Sequence, residues 1–221
     1  MNKLLKCFLG FLFIVNGNIY AEVVWKIGTN NNSSAEFALG PSDYKNFLSN
    51  HLWDDEKQQF IPHIYLEGSP FPDDFDESAI YYFGGTAVAI EAGLLSKEEI
   101  KTSLNEMISR VEQAGAASIG LTLYPVYPDG FFQNPGMKAY SCQNGGDWTW
   151  FGARMVQQLV ATGFLSEAYE QLLPMTERVL ENKGFYEWYT VNNEPRGSGT
   201  FRGSAGVLYT AITNLEKSVN K

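Results

Sequence analysis

The chain carries one junction twice, as Gly93-Leu94-Leu95-Ser96 and, seventy residues later, as Gly163-Phe164-Leu165-Ser166. A run of apolar residues at helical spacing precedes each glycine, and a second helical pattern follows each serine. Glycine is a favoured residue just past the end of a helix, and serine is a favoured N-cap. The repeat therefore predicts two helical hairpins.

The first predicted hairpin joins a helix over residues 86–92 to a second helix that starts at Ser96 and continues to about Gly115. Glu99 follows Ser96 by three residues, which is the spacing of a capping box. The second helix has apolar residues at helical spacing on one face, namely Ile100, Leu104, Ile108 and Val111.

The second predicted hairpin repeats this arrangement over residues 152–162 and from Ser166 towards Asn182. Ser166 is the expected N-cap of its second helix, and Pro174 is expected to kink that helix. A closing helix is predicted over residues 204–215.

Two long connections, residues 116–150 and 184–203, separate the hairpins. Structureless loops of this length are uncommon in compact domains unless they are functional. They are also rich in Tyr, Trp and Phe, which disordered segments avoid. A mainly α fold of the α/α toroid type, with short turns at one end and long loops at the other, explains the pattern. An ordinary helical bundle with disordered insertions is the alternative.

The first loop ends in Gln143-Asn144-Gly145-Gly146-Asp147-Trp148-Thr149-Trp150, directly before a helix. Indole faces stack well on sugar rings, and amide and carboxylate groups bind hydroxyls, so this stretch predicts a sugar site. In the structural alternative, Asp147 caps the helix and the two tryptophans belong to the core.

The second loop contains Gly184-Phe185-Tyr186-Glu187-Trp188-Tyr189. A carboxylate between aromatic side chains is a credible general acid or base, although Glu187 could equally be an ordinary surface residue. The glycine-rich stretch that follows, with Arg202, is either a ligand loop or simply the entry to the last helix.

Together these motifs resemble the C-terminal halves of six-hairpin (α/α)6-barrel glycoside hydrolases, such as alkaline/neutral invertases, trehalases and the processing α-glucosidase group. The resemblance covers about residues 51–215. It implies an inverting hydrolysis of glycosidic bonds, in which Glu187, followed by Tyr189, is the general base and the Asn-Gly-Gly element lines the sugar site. The implied substrate-binding residues are Asn144, Asp147, Trp148, Trp150, Tyr186, Trp188, Tyr189 and Arg202.

The resemblance implies a catalytic acid from an earlier hairpin. The acidic residues near the start of the domain are candidates, and Asp76 is the residue predicted here. Asp73, Asp74 and Glu77 are its alternatives, and all four could instead decorate a solvated loop.

A complete barrel of twelve helices needs well over about 300 residues at ordinary helix lengths. Residues 51–221 are therefore expected to form an incomplete toroid, which an internal deletion would explain. An incomplete barrel exposes apolar helix faces, which favours self-association.

The N-terminus predicts export to the periplasm or the medium. Lys3 and Lys6 precede a short apolar run, so residues 1–21 have the order of a signal peptide. Residues 22–50 are expected to be an extended lead-in, with a strand at 23–27 and a second extended stretch at 36–39.

The formal net charge is −9, and it would be near −11 after loss of the two lysines. This acidity argues against nucleic acid as a partner and is compatible with a neutral carbohydrate. Cys142 would be the one remaining cysteine, and His51 and His63 form no metal motif, so no disulfide, metal or cofactor is predicted. The competing functions are a carbohydrate-binding remnant without turnover, and a polysaccharide lyase or epimerase on the same toroid.

Overall fold

The structure is a computed structural model that describes residues 23–28, 34–39, 46, 48–63, 65, 69 and 71–220. The chain divides into two units, Met1–Tyr44 and Lys45–Lys221. About half of it is helical and its strands are short, which confirms a mainly α fold. Among the described residues, no helix is both long and apolar enough to cross a membrane. The predicted signal peptide, residues 1–21, lies outside the described residues.

The first unit contains one antiparallel β-hairpin. Strand β1 (Val23–Gly28) pairs with β2 (Ser34–Leu39), with Val23 opposite Leu39 and Gly28 opposite Ser34. The strand predicted at 23–27 is therefore confirmed and is slightly longer than expected, and its pairing with a second strand was not predicted.

The second unit contains the helices α1 (Gly84–Glu91), α2 (Lys97–Ala114), α3 (Thr149–Thr162), α4 (Leu165–Asn182) and α5 (Arg202–Val219), and residues 46 and 48–51 are also helical. The capping box of α2 is confirmed, since the Ser96 amide donates to Glu99 Oε2 at 2.6 Å and the Glu99 amide donates to Ser96 Oγ at 3.2 Å. Gly115 ends α2 with φ of 67°, a left-handed conformation that favours glycine.

The junction between α3 and α4 differs from the prediction at one residue. Gly163 ends α3 as expected, with φ of 88°, but α4 already begins at Leu165, and Ser166 lies inside it. The prediction that Ser166 caps this helix is therefore wrong. Tyr169, three residues later, cannot supply the reciprocal bond that Glu99 gives to Ser96. Helix α4 is continuous through Pro174.

The main core lies between the helices, where α3 packs against α1, α4 and α5. Helix α2 adds the face that its spacing predicts, with Ile100, Leu104 and Val111 buried. A second, smaller cluster surrounds Ile80, Leu123 and Tyr127.

The two long loops fold against each other and against the segment before α1. The segment before α1 pairs with itself, as β3 (Trp53–Asp54) with β4 (Gln59–Phe60). It also pairs with the first loop, as β5 (Tyr81–Tyr82) with β6 (Leu123–Tyr124), and the second loop forms β7 (Trp188–Tyr189) with β8 (Pro195–Arg196). A short 3-10 helix covers Glu77–Ala79. This pairing does not fit a bundle with disordered insertions.

Candidate functional site

Asp147 is where the two long loops meet. Its amide donates to the Tyr189 carbonyl at 2.9 Å, and the Tyr189 amide donates back to its carbonyl at 2.8 Å. The neighbouring Trp148 amide donates to the Gly120 carbonyl at 2.7 Å. The two aromatic motifs of the sequence are thereby held side by side.

The Asp147 side chain forms a buried network with helix α4. Its carboxylate accepts from the amide of Ser118 at 3.0 Å and from the hydroxyl of Ser118 at 2.7 Å. Arg178 Nη2 donates to Oδ1 at 2.9 Å, and Nη1 lies 2.9 Å from Oδ2 without hydrogen-bond geometry. The side chains of Arg178 and Asp147 are 0% and 1% exposed, so both charges are fully withdrawn from water.

Arg178 is further held by Thr149, whose hydroxyl accepts from Nε at 3.2 Å and from Nη2 at 2.7 Å. Its guanidinium carbon also lies 4.1 Å from the centre of the Tyr189 ring. The sequence prediction missed this residue. A signal was present, because Arg178 continues the buried face of α4 formed by Ala168, Leu172 and Met175, where an unpaired charge would be costly.

Burial corrects four of the predicted sugar contacts. Asn144, Asp147 and Tyr189 are 0% exposed and Trp148 is 7% exposed. Asn144 exchanges two 2.9 Å hydrogen bonds with the Tyr127 backbone, and Trp148 Nε1 donates to the Cys142 carbonyl at 2.9 Å. Their polar groups are engaged inside the protein, so they shape the loops rather than face a ligand.

Glu187 lies at the surface of this loop assembly and is half-buried. The Ser198 amide donates to its Oε2 at 3.4 Å, and a Cβ at Gly197 would collide with the same carboxylate. Burial raises the pKa of the nearby Cys142 thiol, and the Glu187 charge raises it further. The carboxylate therefore lies against the glycine-rich loop, and its charge acts on the Cys142 thiol.

The remaining predicted contacts are accessible. Tyr186 packs over Gly199, and Trp188 packs against Gly146, where a Cβ would come within 3.0 Å of the indole. Both are half-buried, as is Trp150, whereas Arg202 at the start of α5 is exposed. The structure therefore leaves Tyr186, Glu187 and Trp188 as an accessible aromatic–carboxylate group.

A second polar cluster surrounds Glu77. Tyr127 and Tyr65 donate to Glu77 Oε1 at 2.5 and 3.0 Å, and His63 Nε2 lies 3.4 Å from the same oxygen. Tyr82 shares a 2.7 Å hydrogen bond with Tyr127. Burial raises the Tyr82 pKa to about 12, and burial and the bond to Glu77 raise the Tyr127 pKa.

These contacts correct the prediction of Asp76 as catalytic acid. Its carboxylate is exposed and accepts from Ser78 Oγ at 2.6 Å, which lowers its pKa. A general acid needs a pKa shifted upwards. Glu77 accepts hydrogen bonds from the phenols of Tyr65 and Tyr127. Asp76 is therefore not arranged to deliver a proton.

Within the described part of the chain, no three His, Cys, Asp or Glu side chains are grouped so that they could hold a metal ion. The chain matches no known family model, and no curated protein sequence matches it. Support for the candidate site therefore comes from its geometry, in which Glu187 is the central residue.

Proposed function

We propose that this protein is a glycoside hydrolase-like protein on an incomplete α/α toroid, with Glu187 as the general base. The observation that carries the proposal is the placement of Glu187. It is a half-buried carboxylate that two aromatic residues flank and a backbone amide contacts, at the junction of two long loops.

This placement suits activation of water. A base must hold its carboxylate in a fixed orientation, and the Ser198 amide donates to one of its oxygens at 3.4 Å. Tyr186 and Trp188, the residues on either side of it in the chain, are half-buried aromatic side chains of the kind on which a sugar ring packs. An inverting reaction would also need an acid about 6.5–9.5 Å away.

A carbohydrate-binding protein without turnover is the second candidate. It is favoured by a specific observation, namely that the hydrogen bond from Ser78 lowers the pKa of Asp76, the predicted acid. Without a proton donor, the leaving group would depart unassisted, and hydrolysis would lose roughly 10²–10⁴-fold in rate.

Hydrolysis of a panel of disaccharides and aryl glycosides tests the proposal, with the purified protein compared with Glu187→Gln. Glu194→Gln is the matched control, because this exposed glutamate lies in the same β7–β8 hairpin. We expect the first change to reduce kcat by roughly 10²–10⁴-fold and the second to leave it unchanged. Sugar binding by calorimetry without hydrolysis would support the second candidate, and equal activity of all three proteins would refute the role of Glu187.

A further inference from the structure

Tyr189 is fixed from two directions. Asp147 holds its backbone through two hydrogen bonds, and the Arg178 guanidinium lies against its ring at 4.1 Å. Glu187 precedes Tyr189 by two residues in the same ribbon. Any shift of the Asp147–Arg178 pair must therefore move the chain that carries the Glu187 carboxylate.

The pair is also poorly explained as a source of stability. Replacing a buried ion pair by apolar residues of similar volume is often neutral or stabilising. Arg178 lies on a helix face whose other buried members are Ala168, Leu172 and Met175, where an apolar side chain would fit the pattern. Unlike an apolar side chain, arginine fixes the orientation of its neighbours, because its planar guanidinium donates to two acceptors at once.

Those acceptors lie at the junction of the first loop and helix α3. Arg178 Nη2 donates both to Asp147 Oδ1 at 2.9 Å and to Thr149 Oγ1 at 2.7 Å. The arginine thus sets the end of the first loop against helix α3 while its flat face supports the second loop.

We propose that Arg178 and Asp147 are positioning residues that fix the Glu187 carboxylate beside the 141–146 turn. The relevance of this pair to catalysis rests on the proposed role of Glu187. The geometry itself is independent of turnover and is tested without it.

Cys142 provides the readout, because the Glu187 charge raises the pKa of its thiol. The pH dependence of thiol alkylation is measured in a protein whose other cysteine, Cys7, is replaced by serine. Glu187→Gln removes the charge and should lower the Cys142 pKa. If Arg178 positions Glu187, Arg178→Lys should lower the Cys142 pKa as well, and the double variant should show no further decrease.

Thr149→Val is a gentler variant that keeps both charges and removes only the hydroxyl that holds the guanidinium. It should lower the Cys142 pKa by less than Arg178→Lys does, and it tests the positioning role if Arg178→Lys does not fold. Thr162→Val is its control, since this hydroxyl bonds only to carbonyls at the far end of α3.

A wild-type Cys142 pKa in folded Arg178→Lys and Thr149→Val proteins would overturn the positioning role. If the wild type hydrolyses glycosides, we expect Arg178→Lys to lower kcat by about 100-fold, the cost of a misplaced catalytic group, and to shift the pH profile. If Arg178 had only a structural role, Arg178→Lys would lower kcat by the same factor at every pH and would not shift the pH profile. If the wild-type protein hydrolyses no glycoside and the Cys142 pKa still decreases in the variants, the positioning role is supported and the enzymatic role is rejected.

Discussion

Gly145 and Gly163 allow the packing of the Asn-Gly-Gly turn to be measured separately from its backbone conformation. Both glycines have φ of 88°, so alanine meets the same left-handed strain at each, about 1–2 kcal/mol. A Cβ at Gly163 meets only the Lys97 amine, at 3.8 Å, whereas at Gly145 it would approach Val126 Cγ1 to less than 3.0 Å. Valine is stiff at χ1 and cannot easily move aside.

The overlap at Gly145 should add about 1–3 kcal/mol, the usual cost of overpacking. We therefore expect Gly145→Ala to lose about 2–5 kcal/mol of unfolding free energy and Gly163→Ala about 1–2 kcal/mol. The entropic gain of replacing glycine in the unfolded chain is common to both variants and cancels in the comparison. Urea unfolding followed by circular dichroism gives both values. Equal losses would refute the packing of the turn described above.

Three further outcomes are expected. Ser96→Ala should lower the unfolding free energy by about 1 kcal/mol in urea titrations, because it removes the capping box of α2; no loss would contradict that cap. Leu159→Ala should cost about 2–5 kcal/mol by the same assay, whereas Leu180→Ala, at a position 71% exposed, should cost less than about 0.5 kcal/mol. Glu77→Gln should lower the pKa of Tyr127, since it removes a negative charge beside the phenolate. Alkaline absorbance titration measures this pKa, and an unchanged value would contradict the contact between Glu77 and Tyr127.

The helices could be predicted because their signals are local. Gly115 and Gly163 mark helix ends by their own backbone freedom, and Ser96 has its capping partner within four residues. The Ser166 prediction failed because it relied on the serine alone, without a partner at the right spacing.

The site was predicted less well because its chemistry depends on distant residues. Nothing beside Asp147 indicates that Arg178, on another helix, neutralises it, so a buried ion pair was interpreted as a sugar ligand. Similarly, Asp76 and Glu77 are neighbouring acidic residues, and the phenols of Tyr65 and Tyr127 that bond to Glu77 lie far from it in the sequence.

The pairing of Asp147 with later parts of the chain has a consequence for synthesis on the ribosome. Its ion-pair partner, Arg178, and its backbone partner, Tyr189, are translated about thirty and forty residues afterwards. At about 5–20 residues per second, this leaves the first loop without its partners for roughly 2–8 s. During that interval the loop is open to water, chaperones and proteases, and a nascent chain that stops before Tyr189 lacks the means to close it.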